Sequence, residues 1–150
     1  SNQLEDMMQI IDENGYGVKE SCGLHFHVTK ISGIQENNLV YLTEYFKENF
    51  TELSKRDKTK LNRWAKFHTR NIETEFLTKS MIDDCVSRER YSAINISNRS
   101  TIEFRFFSGT MDYLELMARY EMIYNMNEYA LENEITDLKN KKNNFIAIIQ

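Results

Sequence analysis

Two short stretches of the chain alternate with a period of two, and they constrain everything around them. In 22–31 (CGLHFHVTKI), Leu24, Phe26 and Val28 fall on one side, with His25, His27 and Thr29 on the other. In 101–108 (TIEFRFFS), Ile102, Phe104 and Phe106 share one side, and Thr101, Glu103, Arg105 and Phe107 share the other. Such alternation predicts strands with one face against a core. A third run, 90–97 (RYSAINIS), is separated from 101–108 by Asn98-Arg99-Ser100, which predicts an antiparallel hairpin. With Ile94 and Ile96 turned inward, Asn95 joins the polar side.

Elsewhere the apolar spacing is helical. It predicts helices over 3–14, over 36–54 on a stripe of Leu39, Leu42, Tyr45, Phe46 and Phe50, and within 54–70 around Leu61, Trp64 and Phe67. Further helices are predicted over 73–87 and, longest of all, over 111–136, followed by a short apolar tail at 145–149. Trp64 is expected to be at least half buried beside Leu61 and Phe67. The 150 residues include no proline and five glycines, so helices with a few strands are favoured over an all-β sandwich. The fold class predicted is α+β: an antiparallel sheet of 23–29, 90–97 and 101–108 with one concave polar face, helices packed on the other face, and a long C-terminal helix.

The length fits one domain, 1–150, and 41% hydrophobic residues suffice for a core. A net charge of -4 makes a nucleic-acid partner unexpected. No apolar run approaches the roughly 20 residues of a membrane span. The two cysteines, Cys22 and Cys85, form no CxxC pair, and no signal peptide opens the chain, so free thiols in a cytoplasmic setting are expected. GxGxxG, GxSxG, HExxH and a GxxxxGK phosphate loop are all absent.

Three groups of residues could carry chemistry. His25 and His27 point to one side of a strand, as metal ligands, acid–base groups or plain solvated histidines. Glu103 and Arg105 share a face in the same way, as a metal ligand and an anion clamp or as an exposed ion pair of little consequence. If both strands belong to one sheet, all four side chains and Asn95 project together, which reads as a site for an anionic or metal-bound ligand. The third group is basic: Lys55, Arg56, Arg63, Lys66, His68 and Arg70 surround the single Trp64. It is either a phosphate-binding wall or a solvated helix face.

At this point the motifs, in order, resemble those of the amidoligase family. Residues 21–28 (SCGLHFHV) resemble its CGLHVHV strand, and Leu53-Ser54-Lys55-Arg56 with 61–65 (LNRWA) resembles its SRR…LxRWA segment, common in phage-encoded members. Residues 90–96 resemble RYxAxNL, and 101–110 resemble TIEFRxFxGT. The resemblance implies a glutamine synthetase / glutamate–cysteine ligase-like fold and ATP- and Mg²⁺-dependent joining of a carboxylate to an amine through an acyl phosphate. It implies Glu103 as a metal ligand, Arg105 as a phosphate or carboxylate clamp, and His25 and His27 lining the same site as catalytic or metal-binding groups. Arg63 and Asn95 fall inside matching motifs as cofactor-binding residues. One departure stands out: the family's opening GxExE strand has no counterpart before Cys22, so the domain is expected to be incomplete at its N-terminus.

Three readings stay open. The first is an amidoligase-like domain acting on a small-molecule or peptide substrate that carries a carboxylate or amine, inactive or nearly so in this short form. The second is a catalytically dead, phage-type remnant that binds or inhibits a host protein. The third is a small metalloprotein with His25, His27 and Glu103 as a 2-His-1-carboxylate set. A sheet edge left open by a missing strand would invite pairing into a homodimer.

Overall fold

The computed structural model describes residues 2–19, 21–67 and 91–133. They form α1 (Gln3–Glu13), β1 (Gly23–Thr29), α2 (Gly33–Tyr45), α3 (Lys47–Leu53), α4 (Lys58–Trp64), β2 (Ile94–Asn95), β3 (Thr101–Ser108) and α5 (Tyr113–Glu132). The predicted helix over 73–87, Cys85 and the tail 145–149 lie outside the described residues.

β3 is the central strand of an antiparallel sheet of order β1-β3-β2. The α+β class is therefore as predicted, with a long helix following the sheet. The hairpin partner is shorter than predicted, only Ile94–Asn95. The Asn95 side-chain oxygen accepts from the Ser97 N–H at 3.0 Å and from its hydroxyl at 2.6 Å. That local turn ends the ladder. Upstream, Ser92 pairs with Lys66 in an isolated parallel bridge rather than with β3.

The strict alternation of β3 also fails at one place. Leu24 pairs with Phe107 and Phe26 with Phe104, so β3 carries one extra residue between those pairs. Such a bulge shifts every later side chain to the opposite face. Phe107, predicted on the polar side, is instead fully buried and meets Phe26 edge-on at 5.7 Å. Phe104 and Phe106 are buried as predicted.

α2 and α5 cover the apolar side. Ser32 caps α2 by accepting from the Gln35 N–H at 3.1 Å. Gln35 is fully buried, and its amide donates to the Thr29 carbonyl at 2.9 Å and to Asn127 of α5 at 2.7 Å. One side chain thus ties the end of β1 to both helices. The single helix predicted over 36–54 is two, broken at Phe46. The change of direction leaves Phe46 and Phe50 both buried, with Phe50 on Phe106 at 5.0 Å.

α4 is anchored by Leu61, at 3% exposure, while Trp64 keeps 40% of its surface exposed. Trp64 lies on Tyr91 at 5.7 Å, and the Arg63 guanidinium stacks over it at 4.6 Å. The indole is a rim group, and Phe67 reaches the core in its place, 5.5 Å from Phe106. Among the described residues, no helix is long and apolar enough to cross a membrane.

Candidate functional site

The sheet register places His27 and Asn95 on either side of Glu103, as its partners in β1 and β2. All three side chains therefore leave the same face. Asn95 Nδ2 donates to Glu103 Oε2 at 3.0 Å. Glu103 Oε1 receives Arg105 Nη1 at 2.7 Å and His25 Nδ1 at 3.0 Å, with His27 Nε2 at 3.7 Å. The carboxylate is only 8% exposed, against 35% for His25 and 49% for His27. A buried charge needs this degree of pairing. His25, His27, Glu103, Arg105 and Asn95 thus converge as the spacing predicts. Arg63 does not join them, because its guanidinium is committed to Trp64.

One residue of this cluster was absent from the predicted set. Arg56 follows α3 through a sharp turn in which Lys55 has the left-handed φ of 52°. The turn is fixed to the sheet: the Ser108 N–H donates to the Ser54 carbonyl at 2.9 Å. Ser54 Oγ also accepts from the Arg56 N–H at 3.1 Å. From there the Arg56 guanidinium crosses over Gly23 and donates through Nη1 to the Arg105 carbonyl at 3.2 Å. A Cβ at position 23 would lie 2.5 Å from Arg56 Nη2 and 3.0 Å from His25 Nε2, so glycine is what admits both groups. The signal was the basic Lys55-Arg56 step; only the three-dimensional turn shows that Arg56, not Arg63, points inward.

The electrostatics are unbalanced towards the cations. Burial, then the charge of Arg105, pushes the His25 pKa below 6.5, with Arg56 and His27 adding to the shift and Glu103 opposing it. His25 is therefore neutral at pH 7. Its bond to a carboxylate assigns the proton to Nδ1 and leaves the lone pair on Nε2, the ring nitrogen that lies beside Gly23. Burial and the charge of Arg105 also lower the Arg56 pKa. The buried Nε–H groups of Arg56 and Arg105 have no partner among the described residues. Arg56 and Arg105 thus bring two guanidinium groups close together at this face of the sheet.

The same donor set suits Mg²⁺ poorly. That ion prefers carboxylates and phosphate oxygens at short, octahedral distances. Glu103 is the one carboxylate of the cluster, and both its oxygens are engaged. Among the described residues, no group of three or more His, Cys, Asp or Glu side chains is arranged to hold a metal ion.

Comparison with known proteins agrees with the motif order. The family model described as "Putative amidoligase enzyme" matches residues 1–126. The chain belongs to this amidoligase family. Neither a curated protein nor a solved structure gives a match.

Proposed function

We propose that this domain joins a carboxylate to an amine in an ATP-dependent reaction, with the polar face of the sheet as its active site. The observation that carries the proposal is the pair of partly buried guanidinia, Arg56 and Arg105, packed around the His25–Glu103 pair with unpartnered Nε–H donors. A substrate carboxylate, or the acyl phosphate made from it, fits that set of donors. ATP supplies the phosphoryl group that turns the carboxylate hydroxyl-equivalent oxygen into a leaving group.

The chain's own groups then have distinct roles. Arg105 is held by Glu103 and orients the acyl oxygens. Arg56 spreads positive charge towards the leaving phosphate. Neutral His25 takes the proton that the attacking amine loses as the C–N bond forms and the C–OP bond breaks. Its Nδ1–H stays on Glu103, which stabilises the imidazolium that results. His27 borders the same surface, and Asn95 fixes the second oxygen of Glu103. No step is assigned to a protein-bound metal, because the described carboxylate is fully engaged.

A second reading, a binding or inhibitory module without turnover, is favoured by that same saturation of Glu103. The two are separated by following ADP formation with ATP, Mg²⁺ and mixed amino acids or peptides as acceptors. The ligase reading expects slow ADP release that needs both a carboxylate and an amine, and falls about 10²-fold or more in His25→Gln. Release unchanged in that variant would remove His25 as the base, and no release alongside stoichiometric capture of one protein would support the second reading.

A further inference from the structure

β1 is an outer strand: it pairs with β3 on one side, and among the described residues no strand pairs with its other side. The bonds at its two ends fix which backbone groups are left over. Lys30 donates its N–H to the Ser100 carbonyl, and Gly109 donates to the Cys22 carbonyl, both at 2.9 Å. Bonding pairs in an antiparallel ladder recur at every second residue, so Leu24, Phe26 and Val28 turn their N–H and C=O groups to β3. Gly23, His25, His27 and Thr29 turn theirs outward. These four are also the exposed residues of the strand.

Sheet edges are commonly blunted by a charged side chain, a proline or a bulge. β1 has none of these: 23–29 contains no Asp, Glu, Lys, Arg or Pro, and the extra residue of the bulge belongs to β3. The next charge, Lys30, is turned back. Its Nζ donates to the Ile96 carbonyl at 2.7 Å and lies 3.1 Å from Glu36. The apolar side of the strand is also under-covered. Leu24, Phe26 and Val28 are only partly buried, whereas Ile102, Phe104 and Phe106 of β3 are fully buried.

The strand is complementary to itself. Leu24-His25-Phe26-His27-Val28 has the same chemical pattern read in either direction. Antiparallel pairing with a second copy keeps polar against polar only where odd residues face odd residues. Of those registers, the one that overlaps all seven residues is centred on Phe26. It sets His25 opposite the partner's His27 and Leu24 opposite the partner's Val28, and it pairs every outward N–H and C=O of 23–29. We propose that the chain forms a two-fold homodimer through β1 in this register, giving one continuous six-stranded sheet. Its polar face carries both copies of the site side by side, with the partner's His27 next to each His25. A contact of one strand pair is small, so the association is reversible and concentration-dependent. The inference does not rest on the ligase reading.

The test is sedimentation equilibrium of the full chain over roughly 1–500 µM, the range in which small interfaces associate. Wild type should pass from monomer to dimer. His27→Pro and Thr29→Pro each remove an N–H that points away from β3, so the monomer loses no ladder bond. By symmetry each removes two bonds from the dimer, and its dissociation constant should rise about tenfold or more. Thr29→Pro, at the strand end, decides the matter if His27→Pro folds poorly. Register is read by cysteine trapping in a Cys22→Ser/Cys85→Ser background. Residues opposite each other in the pair have Cα atoms about 5.5 Å apart, inside the disulfide range. Chains carrying His25→Cys and chains carrying His27→Cys should therefore cross-link when mixed. Neither should cross-link alone, because like residues stand two positions out of step, roughly 8–9 Å apart. A chain monomeric at every concentration, a dimer indifferent to both prolines, or cross-linking of either cysteine variant alone as readily as in the mixture would each overturn the β1 dimer.

Discussion

Gly23 and Arg56 hold their positions only together, since any Cβ at residue 23 would stand 2.5 Å from Arg56 Nη2. Gly23→Ala should therefore push the guanidinium off the sheet. Because the clashing atom is the far end of a flexible side chain, we expect a loss of about 1 kcal/mol or less. The loss should shrink in an Arg56→Ala background, where the clash is gone. Chemical denaturation of the two single variants and the double variant measures that coupling. Equal costs in both backgrounds would show that Arg56 does not lie over Gly23.

Glu103 is the negative centre for Arg105, His25 and Asn95 while itself almost fully buried. Glu103→Gln keeps the shape and removes the charge. Breaking a buried pair in this way costs about 3–5 kcal/mol. Urea denaturation should show that cost, and an unchanged midpoint would mean the carboxylate is solvated.

The pH dependence follows from His25. Its pKa is lowered from 6.5 in the folded chain, first by burial and then by Arg105. Below 6.5 the unfolded chain binds the proton more readily than the folded one, so stability falls as pH drops through that value. The loss levels off once the pH passes the folded-state pKa, and above 6.5 the full stability is present. Melting temperatures on either side of this window should differ for wild type, and the difference should be smaller in His25→Gln.

Two aromatic truncations should behave unlike each other. Phe107 is fully buried against Phe26 by the bulge in β3, so Phe107→Ala should cost about 3–5 kcal/mol. Trp64 is a rim group stacked with Arg63 and Tyr91, so Trp64→Ala should cost less than half as much. Thermal denaturation ranks the pair, and the reverse order would place the core anchor in α4.

Much of this was legible in the sequence because period-two patterning carries its own geometry. His25, His27, Glu103 and Arg105 had to share a face once β1 and β3 paired, and Asn95 followed from its isoleucine neighbours. Two features had no such signature. The bulge that buries Phe107 depends on the pairing of two strands, not on either strand alone. The inward turn of Arg56 depends on the left-handed Lys55 and on a backbone bond from Ser108 to Ser54, a contact between segments more than fifty residues apart. Arg63, another arginine of the same basic segment, is drawn aside by a ring face that spacing alone could not reveal.

The most direct measurement is heteronuclear NMR of the arginine Nε–H groups during titration with ATP. Arg56 and Arg105 each bury an Nε–H that has no partner among the described residues. If these two guanidinia form one oxyanion receptor, their Nε–H signals, assigned through Arg56→Lys and Arg105→Lys, will shift together and saturate at one ligand concentration. Signals that stay fixed while ATP binds, or that respond with separate affinities, would contradict a single active face built on His25, Glu103, Arg105 and Arg56.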